Sequence, residues 1–310
     1  MQMEHENRMR FTFLSAGAPR HGKNLRSEVQ AINDREKWGW ETQFWEWQKD
    51  GYESYDFLWP DWIWNMGNFE TVFNWMAEKK RDYPKLKFIA QWIGTDILQH
   101  ESFVNQGFPD PFLAADIHIA DATNLQDEAR QLTQMDVGLV RSIPPKVYAP
   151  TPITQWDNVL AYVPNGRDDF FRWAWILEVA KEYPDITFNI IARDTTDGLP
   201  ANVICHKEIG GAEKEALFRK CFAYLRPIQH DGIGLTLIEM AQMGRWTLHT
   251  DTRIAYTLPA RSPGEIMFQL DEIIRTEKQP PQIASDYYRS EFNDQMLMND
   301  LLGLKAQMEK

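Results

Sequence analysis

The chain has 310 residues, of which 43% are hydrophobic and 25% are charged, and its net charge at pH 7 is −12. This length suits two domains of about 150 residues, and the apolar fraction allows each domain to build a core. The acidic balance argues against a general nucleic-acid binder, which usually needs a basic stripe. Its two cysteines, Cys205 and Cys221, form no Cys-x-x-Cys pair, so neither a disulfide scaffold nor a zinc site is indicated.

The first ten residues are polar and charged, unlike a signal peptide. No apolar run reaches the roughly 18 residues that a membrane span requires. We therefore expect a cytoplasmic protein without a membrane span.

The first half of the chain alternates short apolar runs with polar, helix-like stretches. Strands separated by helices predict parallel pairing through crossover connections. The predicted strands are residues 11–15, 42–47, 55–58, 87–92 and 117–120, and a helix follows the last of them to about residue 133.

A proline-rich segment at residues 143–152 predicts a linker, because proline resists both helix and sheet. The second half then repeats the alternation, with strands predicted at residues 159–163, 187–192, 203–206, 222–226 and 246–249. Its helices are predicted at residues 167–182, 212–220, 235–242, 262–277 and most of 284–308.

These patterns predict an α/β protein with two Rossmann-like domains and a ligand cleft outside the carboxyl ends of the strands. The first domain is placed at residues 1–148 and the second at residues 149–290. Residues 291–310 form a terminal helix that could brace the first domain.

The segment from Arg226 to Glu239 has the composition of a phosphate site. A strand ends near Arg226, a loop with Gly232 and Gly234 follows, and a helix begins near Leu235. Glycines let a backbone approach a ligand closely, and the free N–H groups and dipole of a helix start favour phosphate.

Two carboxylates flank this helix start, Asp231 in the loop and Glu239 inside the helix. Carboxylates accept hydroxyl hydrogen bonds well, so one could face a sugar beside the phosphate while the other reaches a ribose. The plain alternative is an ordinary loop acid and a solvated helix acid.

Residues 231–239 read D-G-I-G-L-T-L-I-E. They resemble the Glu-x7-Glu motif, roughly E-G-F-G-L-P-x-x-E, of GT-B glycosyltransferases, specifically the retaining family four (group 1). Gly166 and Arg167, followed by Arg172, resemble the basic Gly-Arg…Lys element of that family. Here Asp231 stands for the first glutamate and Arg172 for the lysine.

The first half carries two further likenesses. Residues 92–96, W-I-G-T-D, resemble the family's His-x-Gly-x-Asp segment, with Trp92 in place of histidine. Gly17 and Gly22 lie in a loop that resembles the family's glycine loop, which faces the acceptor and the donor phosphate.

The resemblance implies a GT-B hexosyltransferase that moves a sugar from a UDP- or GDP-linked donor with retention. It also implies that residues 1–148 form the acceptor-side domain and residues 149–290 the nucleotide-sugar-binding domain. Arg167 and Arg172 would neutralise the leaving diphosphate, and Asp96 would position the acceptor or donor sugar. Catalytic roles are thus expected for Asp231, Asp96, Arg167 and Arg172. Donor binding is expected of Gly17, Gly22, Arg167, Arg172, Gly232, Ile233, Gly234, Leu235, Thr236 and Glu239.

No cofactor is expected beyond the nucleotide-sugar donor itself, which is a co-substrate. No Asp-x-Asp spacing occurs in the chain, so we expect no metal site. The acceptor is unknown: it could be a glycan, a lipid-linked sugar, a small molecule or a modified nucleic acid.

Several alternatives stay open. The chain could be a degenerate GT-B protein that binds nucleotide sugars without turnover, or a glycosyltransferase of modified DNA bases, against which the acidic charge speaks. The histidine and acid pattern of a nucleotide-sugar 2-epimerase is not evident. Asp96 could instead cap a helix, the two arginines could be surface charges, and Gly17 and Gly22 a simple turn. His118, like the tryptophans that crowd residues 38–92, is expected to be structural.

Overall fold

The structure, a computed structural model, describes residues 10–15, 41–46, 57–60, 77–85, 87–94, 97–98 and 115–308. The chain divides into two compact units, Met1–Ser142 with Asp294–Lys310, and Ile143–Asn293. The domain limits inferred from the sequence, at residues 148 and 290, stay predictions.

The first unit contains a six-stranded parallel sheet. Its strands are β1 (Arg10–Ser15), β2 (Glu41–Glu46), β3 (Phe57–Pro60), β4 (Lys87–Trp92), β5 (Ile117–Ala120) and β6 (Val137–Leu139). Their order is β2-β1-β3-β4-β5-β6, and every pair is parallel. The order reverses between β1 and β3, as in doubly wound α/β sheets. Strand β6 has no counterpart in the sequence-based prediction.

Strands β4 and β5 form the described core of this sheet, since their apolar side chains are fully buried or nearly so. Helix α1 (Thr123–Thr133) covers them through Leu125 and Ala129. The last helix of the chain, Asp294–Met308, belongs to the same unit, where Arg141 donates to the Asp300 carboxylate at 2.6 Å.

The second unit contains another six-stranded parallel sheet. Its strands are β7 (Asn158–Tyr162), β8 (Thr187–Ile191), β9 (Val203–His206), β10 (Ala223–Arg226), β11 (Trp246–His249) and β12 (Leu258–Pro259). The order β12-β11-β10-β7-β8-β9 is that of a Rossmann sheet, with its switch point between β7 and β10. The predicted α/β class with two Rossmann-like sheets is confirmed, although the two-residue strand β12 was not foreseen.

The helices of this unit are α2 (Trp173–Glu182), α3 (Gly211–Lys220), α4 (Leu235–Gln242), α5 (Pro263–Thr276) and α6 (Gln282–Glu291); the terminal helix Asp294–Met308 is α7. Helix α5 begins where the sequence predicts, because Ser262 accepts from the Glu265 N–H at 3.2 Å and the Glu265 carboxylate accepts from the Arg261 N–H at 2.8 Å. Ser262 is thus the N-cap of α5, and Glu265 bonds back to the residue that precedes the cap.

Two helix predictions need correction. Helix α2 begins at Trp173 rather than near Arg167, because Arg172 adopts a left-handed conformation with φ 50° and cannot continue a helix backwards. The predicted helix over 284–308 is two helices. They separate at Phe292 and Asn293, where the Asn293 amide donates to the carbonyls of Arg289 and Ser290 at 2.7 and 2.8 Å.

Candidate functional site

The candidate site lies at the switch point of the second sheet. The loop after β7 (residues 163–172) and the loop after β10 (residues 227–234) leave the same edge, because the two strands are parallel neighbours. The Gln229 N–H donates to the Phe170 carbonyl at 2.9 Å, and the Gln229 side chain donates to the Asp169 carbonyl at 3.3 Å. The two loops are therefore hydrogen-bonded to each other. They are the two loops in which the sequence predicts a site for the donor phosphate.

The loop after β7 is also anchored to the neighbouring strand end, after β8. Arg193 donates two hydrogen bonds to the Asp168 carboxylate, at 2.7 and 3.1 Å. Asn165 and Asp194 exchange two more, at 2.8 and 3.2 Å. This bidentate ion pair and the reciprocal amide contact fix the loop that carries Arg167 and Arg172.

Arg167 and Arg172 stand out by their lack of acidic partners. Within residues 115–308 neither side chain forms an ion pair or a hydrogen bond. Arg167 lies 4.2 Å from the Phe170 ring centre and Arg172 lies 5.1 Å from that of Trp175. Nε of Arg172 is buried without a partner. Two half-buried guanidinium groups stacked on aromatic rings without a carboxylate are suited to an anionic ligand.

The backbone of Arg172 is also unusual. A left-handed conformation at a residue with a long side chain costs roughly 1 kcal/mol or more, and such positions cluster at binding sites. In this structure it turns the chain into α2 while Arg172 stacks on Trp175.

The start of α4 presents free backbone donors. Gly234 is the N-cap and contributes no capping side chain, and its carbonyl accepts from the N–H groups of Leu237 and Ile238 at 2.9 and 3.3 Å. In the described residues, no protein acceptor meets the N–H groups of Leu235 and Thr236. With the helix dipole, these groups are suited to an anionic ligand.

Asp231 has a different environment from the one the sequence suggested. Only 13% of its side chain is exposed, and its carboxylate accepts a hydrogen bond from Nε of Arg226 at the end of β10. Nε2 of His249, which is fully buried, lies 3.7 Å from the same oxygen. Asp231 is thus engaged in a buried ion pair with Arg226 rather than open towards a sugar.

The position of Arg226 in that ion pair leaves no room for a side chain at residue 234. A Cβ at residue 234 would lie 2.6 Å from Cζ of Arg226, although φ of Gly234 is an ordinary −72°. Arg226 also donates to the Tyr224 hydroxyl at 3.2 Å. The sequence suggested that this glycine lets a ligand approach. In the structure, its missing side chain instead makes room for the guanidinium of Arg226.

The charges at this edge influence one another. Burial by itself would raise the pKa of Asp231, but Arg226 and His249 favour the carboxylate and hold that pKa well below its ordinary value. Burial lowers the pKa of Arg167, and the positive charge of Arg226 adds to that effect, while Tyr162 and Asp231 oppose it. Arg167 is thus close enough to the Arg226–Asp231 pair for these charges to affect its pKa.

Glu239 lies one turn inside α4 and is almost completely buried, with 1% of its side chain exposed. Its Oε1 accepts from the Lys214 ammonium at 2.8 Å and from the Tyr148 hydroxyl at 3.2 Å. Its Oε2 has no partner among the described residues. A buried carboxylate oxygen without a donor costs about 1–3 kcal/mol, so Oε2 is a position that a ligand hydroxyl could satisfy.

The remaining predicted residues are placed as follows. Gly232 and Ile233 are buried in the loop before α4. Gly17, Gly22 and Asp96 lie outside the described residues. Trp92, which stands for the family's histidine, is fully buried, and its indole N–H donates to Nδ1 of His118 at 3.4 Å.

Sequence reasoning missed Arg226, His249, Lys214 and Tyr148. Arg226 could have been noticed, since an arginine ends an otherwise apolar strand, A-Y-L-R, five residues before Asp231. The other three contact the site from elements distant in sequence, and nothing in their local pattern marks them.

None of the described helices is long and apolar enough to cross a membrane. No group of three or more His, Cys, Asp or Glu side chains in the described residues could hold a metal ion.

No protein-family model matches the sequence, and a search of curated proteins finds no match. Solved structures do match, at low sequence identity. Sucrose-phosphate synthase from Thermosynechococcus elongatus is similar with a TM-score of 0.71 and 11% identity, over 97% of this chain and 99% of that chain.

Two further similar structures differ in their chemistry. The lipopolysaccharide outer core galactosyltransferase WaaB matches with a TM-score of 0.64 and 12% identity, over 94% of this chain and 98% of that chain. A protein from Listeria monocytogenes assigned as a UDP-N-acetylglucosamine 2-epimerase matches with a TM-score of 0.51 and 11% identity, over 97% of both chains. The chain thus has the fold that these enzymes share. Because one fold hosts different reactions, the fold by itself does not identify the reaction of this chain.

Proposed function

We propose that this protein is a glycosyltransferase that moves a hexose from a UDP- or GDP-linked donor to an acceptor not yet identified. The observation that carries this proposal is the pair Arg167 and Arg172. In the described part of the chain both guanidinium groups lack acidic partners, and their loop is hydrogen-bonded to the loop that leads into the uncapped start of α4. Cations and free N–H groups gathered at a switch point suit a diphosphate.

In the proposed reaction, Arg167 and Arg172 hold the donor diphosphate and neutralise the charge that builds up as the glycosidic bond breaks. The N–H groups of Leu235 and Thr236 add hydrogen bonds to the same phosphates. Fixed donors aimed at developing charge are often the largest contribution to an enzyme's rate. The sucrose-phosphate synthase and galactosyltransferase likenesses support this reading of the fold.

Other residues of the proposal have separate roles. Glu239 would accept a ribose hydroxyl at Oε2. Asp96, Gly17 and Gly22 would serve the acceptor side, as the family resemblance implies. Asp231 would have an indirect role. Its ion pair with Arg226 would hold the loop after β10 in place, and catalysis would depend on that loop.

The finer features of the proposal come from the resemblance. Retention at the anomeric carbon follows the family motif at residues 231–239, and independence of metal agrees with the absence of an Asp-x-Asp sequence. A cytoplasmic location is proposed because Cys205 and Cys221 are free thiols, as is usual in a reducing compartment.

A donor panel tests the proposal directly. Wild-type protein is incubated with UDP- and GDP-sugars, and release of nucleotide diphosphate and free sugar is followed, with and without EDTA. We expect slow hydrolysis of one donor, unaffected by EDTA, that is lost in Arg167→Ala. As a matched control, Arg275→Ala removes an arginine paired with Glu272 on α5 and should leave hydrolysis unchanged.

The runner-up is a protein that binds nucleotide sugars without turnover, favoured by the engagement of Asp231 with Arg226. Calorimetry with the same panel separates the two, because tight binding without hydrolysis or transfer supports the runner-up. Conversion of UDP-N-acetylglucosamine into its 2-epimer would favour the epimerase class instead. A DNA-modifying enzyme would require a strongly salt-dependent affinity for DNA.

A further inference from the structure

The carboxylate of Glu239 is held from two sides by residues that lie outside the motif at residues 231–239. Tyr148 lies in the segment of the chain that precedes β7, and Lys214 lies on α3. Both contact the same oxygen, Oε1, whereas Oε2 has no donor among the residues that the structure describes.

This asymmetry matters because a free carboxylate usually has two oxygens to offer. It can then bind two neighbouring hydroxyls of a ribose, one at each oxygen. At Glu239 the ammonium and the phenol already occupy Oε1, at 2.8 and 3.2 Å. Both acceptor positions of Oε1 are thereby filled, which leaves Oε2 as the oxygen that a ligand hydroxyl could reach.

We infer that Tyr148 and Lys214 are specificity-determining positioning residues, which make Glu239 accept a single ribose hydroxyl through Oε2 instead of a vicinal diol through both oxygens. This inference rests on the proposed function, in which Glu239 contacts the donor ribose.

The geometry also fixes how these two residues hold Glu239. Tyr148 is itself anchored, since its backbone N–H donates to the Gln242 side chain at 3.1 Å, one turn further along α4. Burial and the neighbouring negative charge of Glu239 raise the pKa of the Tyr148 hydroxyl above its ordinary value, so this group stays a donor. Lys214 is 28% exposed, lies 5.3 Å from the Phe218 ring centre and directs its ammonium to Oε1.

The test compares three forms of one nucleotide. Affinities of wild-type protein for UDP or GDP, whichever binds, are measured by calorimetry together with those for the 2′-deoxy and 3′-deoxy forms. A hydrogen bond to a charged group carries roughly a 10- to 100-fold difference in affinity. We expect one deoxy form to bind weaker by that factor and the other to bind within about twofold of the parent.

The same series is then measured for Tyr148→Phe and for Tyr148→Phe with Lys214→Met. Tyr148→Phe frees one of the two acceptor positions of Oε1, and the double variant frees both. Oε1 should then engage the second hydroxyl, so the previously tolerated deoxy form should bind at least about threefold weaker than the parent. The controls are Tyr183→Phe, which removes a tyrosine hydroxyl bonded to Asp271, and Lys220→Met, which removes an exposed lysine of α3. Neither should alter the discrimination.

Equal weakening by both deoxy forms in the wild type would overturn the inference, as would unchanged discrimination in Tyr148→Phe. If the double variant does not fold, the single variant decides. Failure of the proposed function looks different: neither nucleotide binds the wild type, or Glu239→Ala binds as tightly as wild type.

Discussion

The guanidinium of Arg226 occupies the space in which a side chain at residue 234 would begin, with Cζ 2.6 Å from the Cβ position of Gly234. The conformation of residue 234 is open to any amino acid, so the glycine is required by this contact and not by its φ. The loop that leads into α4 is thereby built around a buried ion pair.

Gly234→Ala should destabilise the protein, because the new methyl group and Arg226 cannot both keep their places. Overpacking of this kind costs about 1–3 kcal/mol, and we expect nucleotide affinity to fall as the loop shifts. Urea unfolding and calorimetry measure the two effects. Gly303→Ala is the control: its Cβ meets nothing within 4 Å and it lies inside α7, so that variant should gain up to about 1 kcal/mol. Equal behaviour of both variants would contradict the steric argument.

Asp231→Asn should lower the free energy of unfolding by about 3–5 kcal/mol at pH 7, since it leaves the buried Arg226 without a counter-charge. The pKa of Asp231 is depressed in the folded state, so its contribution is present above its ordinary pKa of about 3.9 and is lost as the pH falls below that value.

Urea titrations of the wild type and Asp231→Asn from pH 7 to pH 3 check this sign. The difference between the two proteins should be constant from pH 7 to pH 5 and shrink below about pH 4. Asp185→Asn, at an acid without a described ion pair, is the control and should show little difference at any pH. A difference for Asp231→Asn that does not change with pH would exclude the ion pair as its source.

Arg172→Gly should change stability and binding in opposite directions. Glycine adopts φ 50° without strain, so the free energy of unfolding should rise by about 0.5–1 kcal/mol. Loss of the guanidinium should weaken binding of the nucleotide diphosphate by roughly 10-fold or more, as for a hydrogen bond to a charged group. Thermal unfolding and calorimetry are the measurements.

The control for Arg172→Gly is Glu277→Gly, at another left-handed residue after the end of α5. It should gain stability and leave nucleotide affinity unchanged. If Arg172→Gly keeps wild-type affinity, Arg172 is not part of the phosphate site, and Arg167 alone would remain for that role.

His118 should make the first unit sensitive to acid. Burial lowers its pKa to about 4, against an ordinary value of about 6.5, so the unfolded chain takes up a proton first as the pH falls. The contribution of His118 to stability should therefore decrease between pH 6.5 and pH 4, by up to about 3 kcal/mol. In His118→Gln this loss should be absent, which urea titrations followed by tryptophan fluorescence would show. His206→Gln, at a half-buried histidine of the second unit, is the comparison.

Local patterns were sufficient for most of the fold. The alternation of apolar runs and helical stretches predicted parallel sheets, because parallel strands need crossover connections. The helix predicted at residues 262–277 corresponds closely to α5. The short strands β6 and β12 were missed, because two or three residues carry too little periodicity to be recognised. The start of α2 was misplaced, since the left-handed turn at Arg172 has no sequence signature.

The sequence by itself determined which residue types stand after β7 and β10: two arginines, two glycines, an aspartate and a glutamate at a helix start. Only the tertiary structure decided their partners. Asp231 reaches Arg226 because the loop that carries Asp231 folds back on the end of β10, and Gly234 leaves room for that contact. Glu239 meets Tyr148 and Lys214, which are distant in sequence. Spacing along a chain fixes which face a side chain occupies, but a buried charge takes its partner from whatever the fold packs against it.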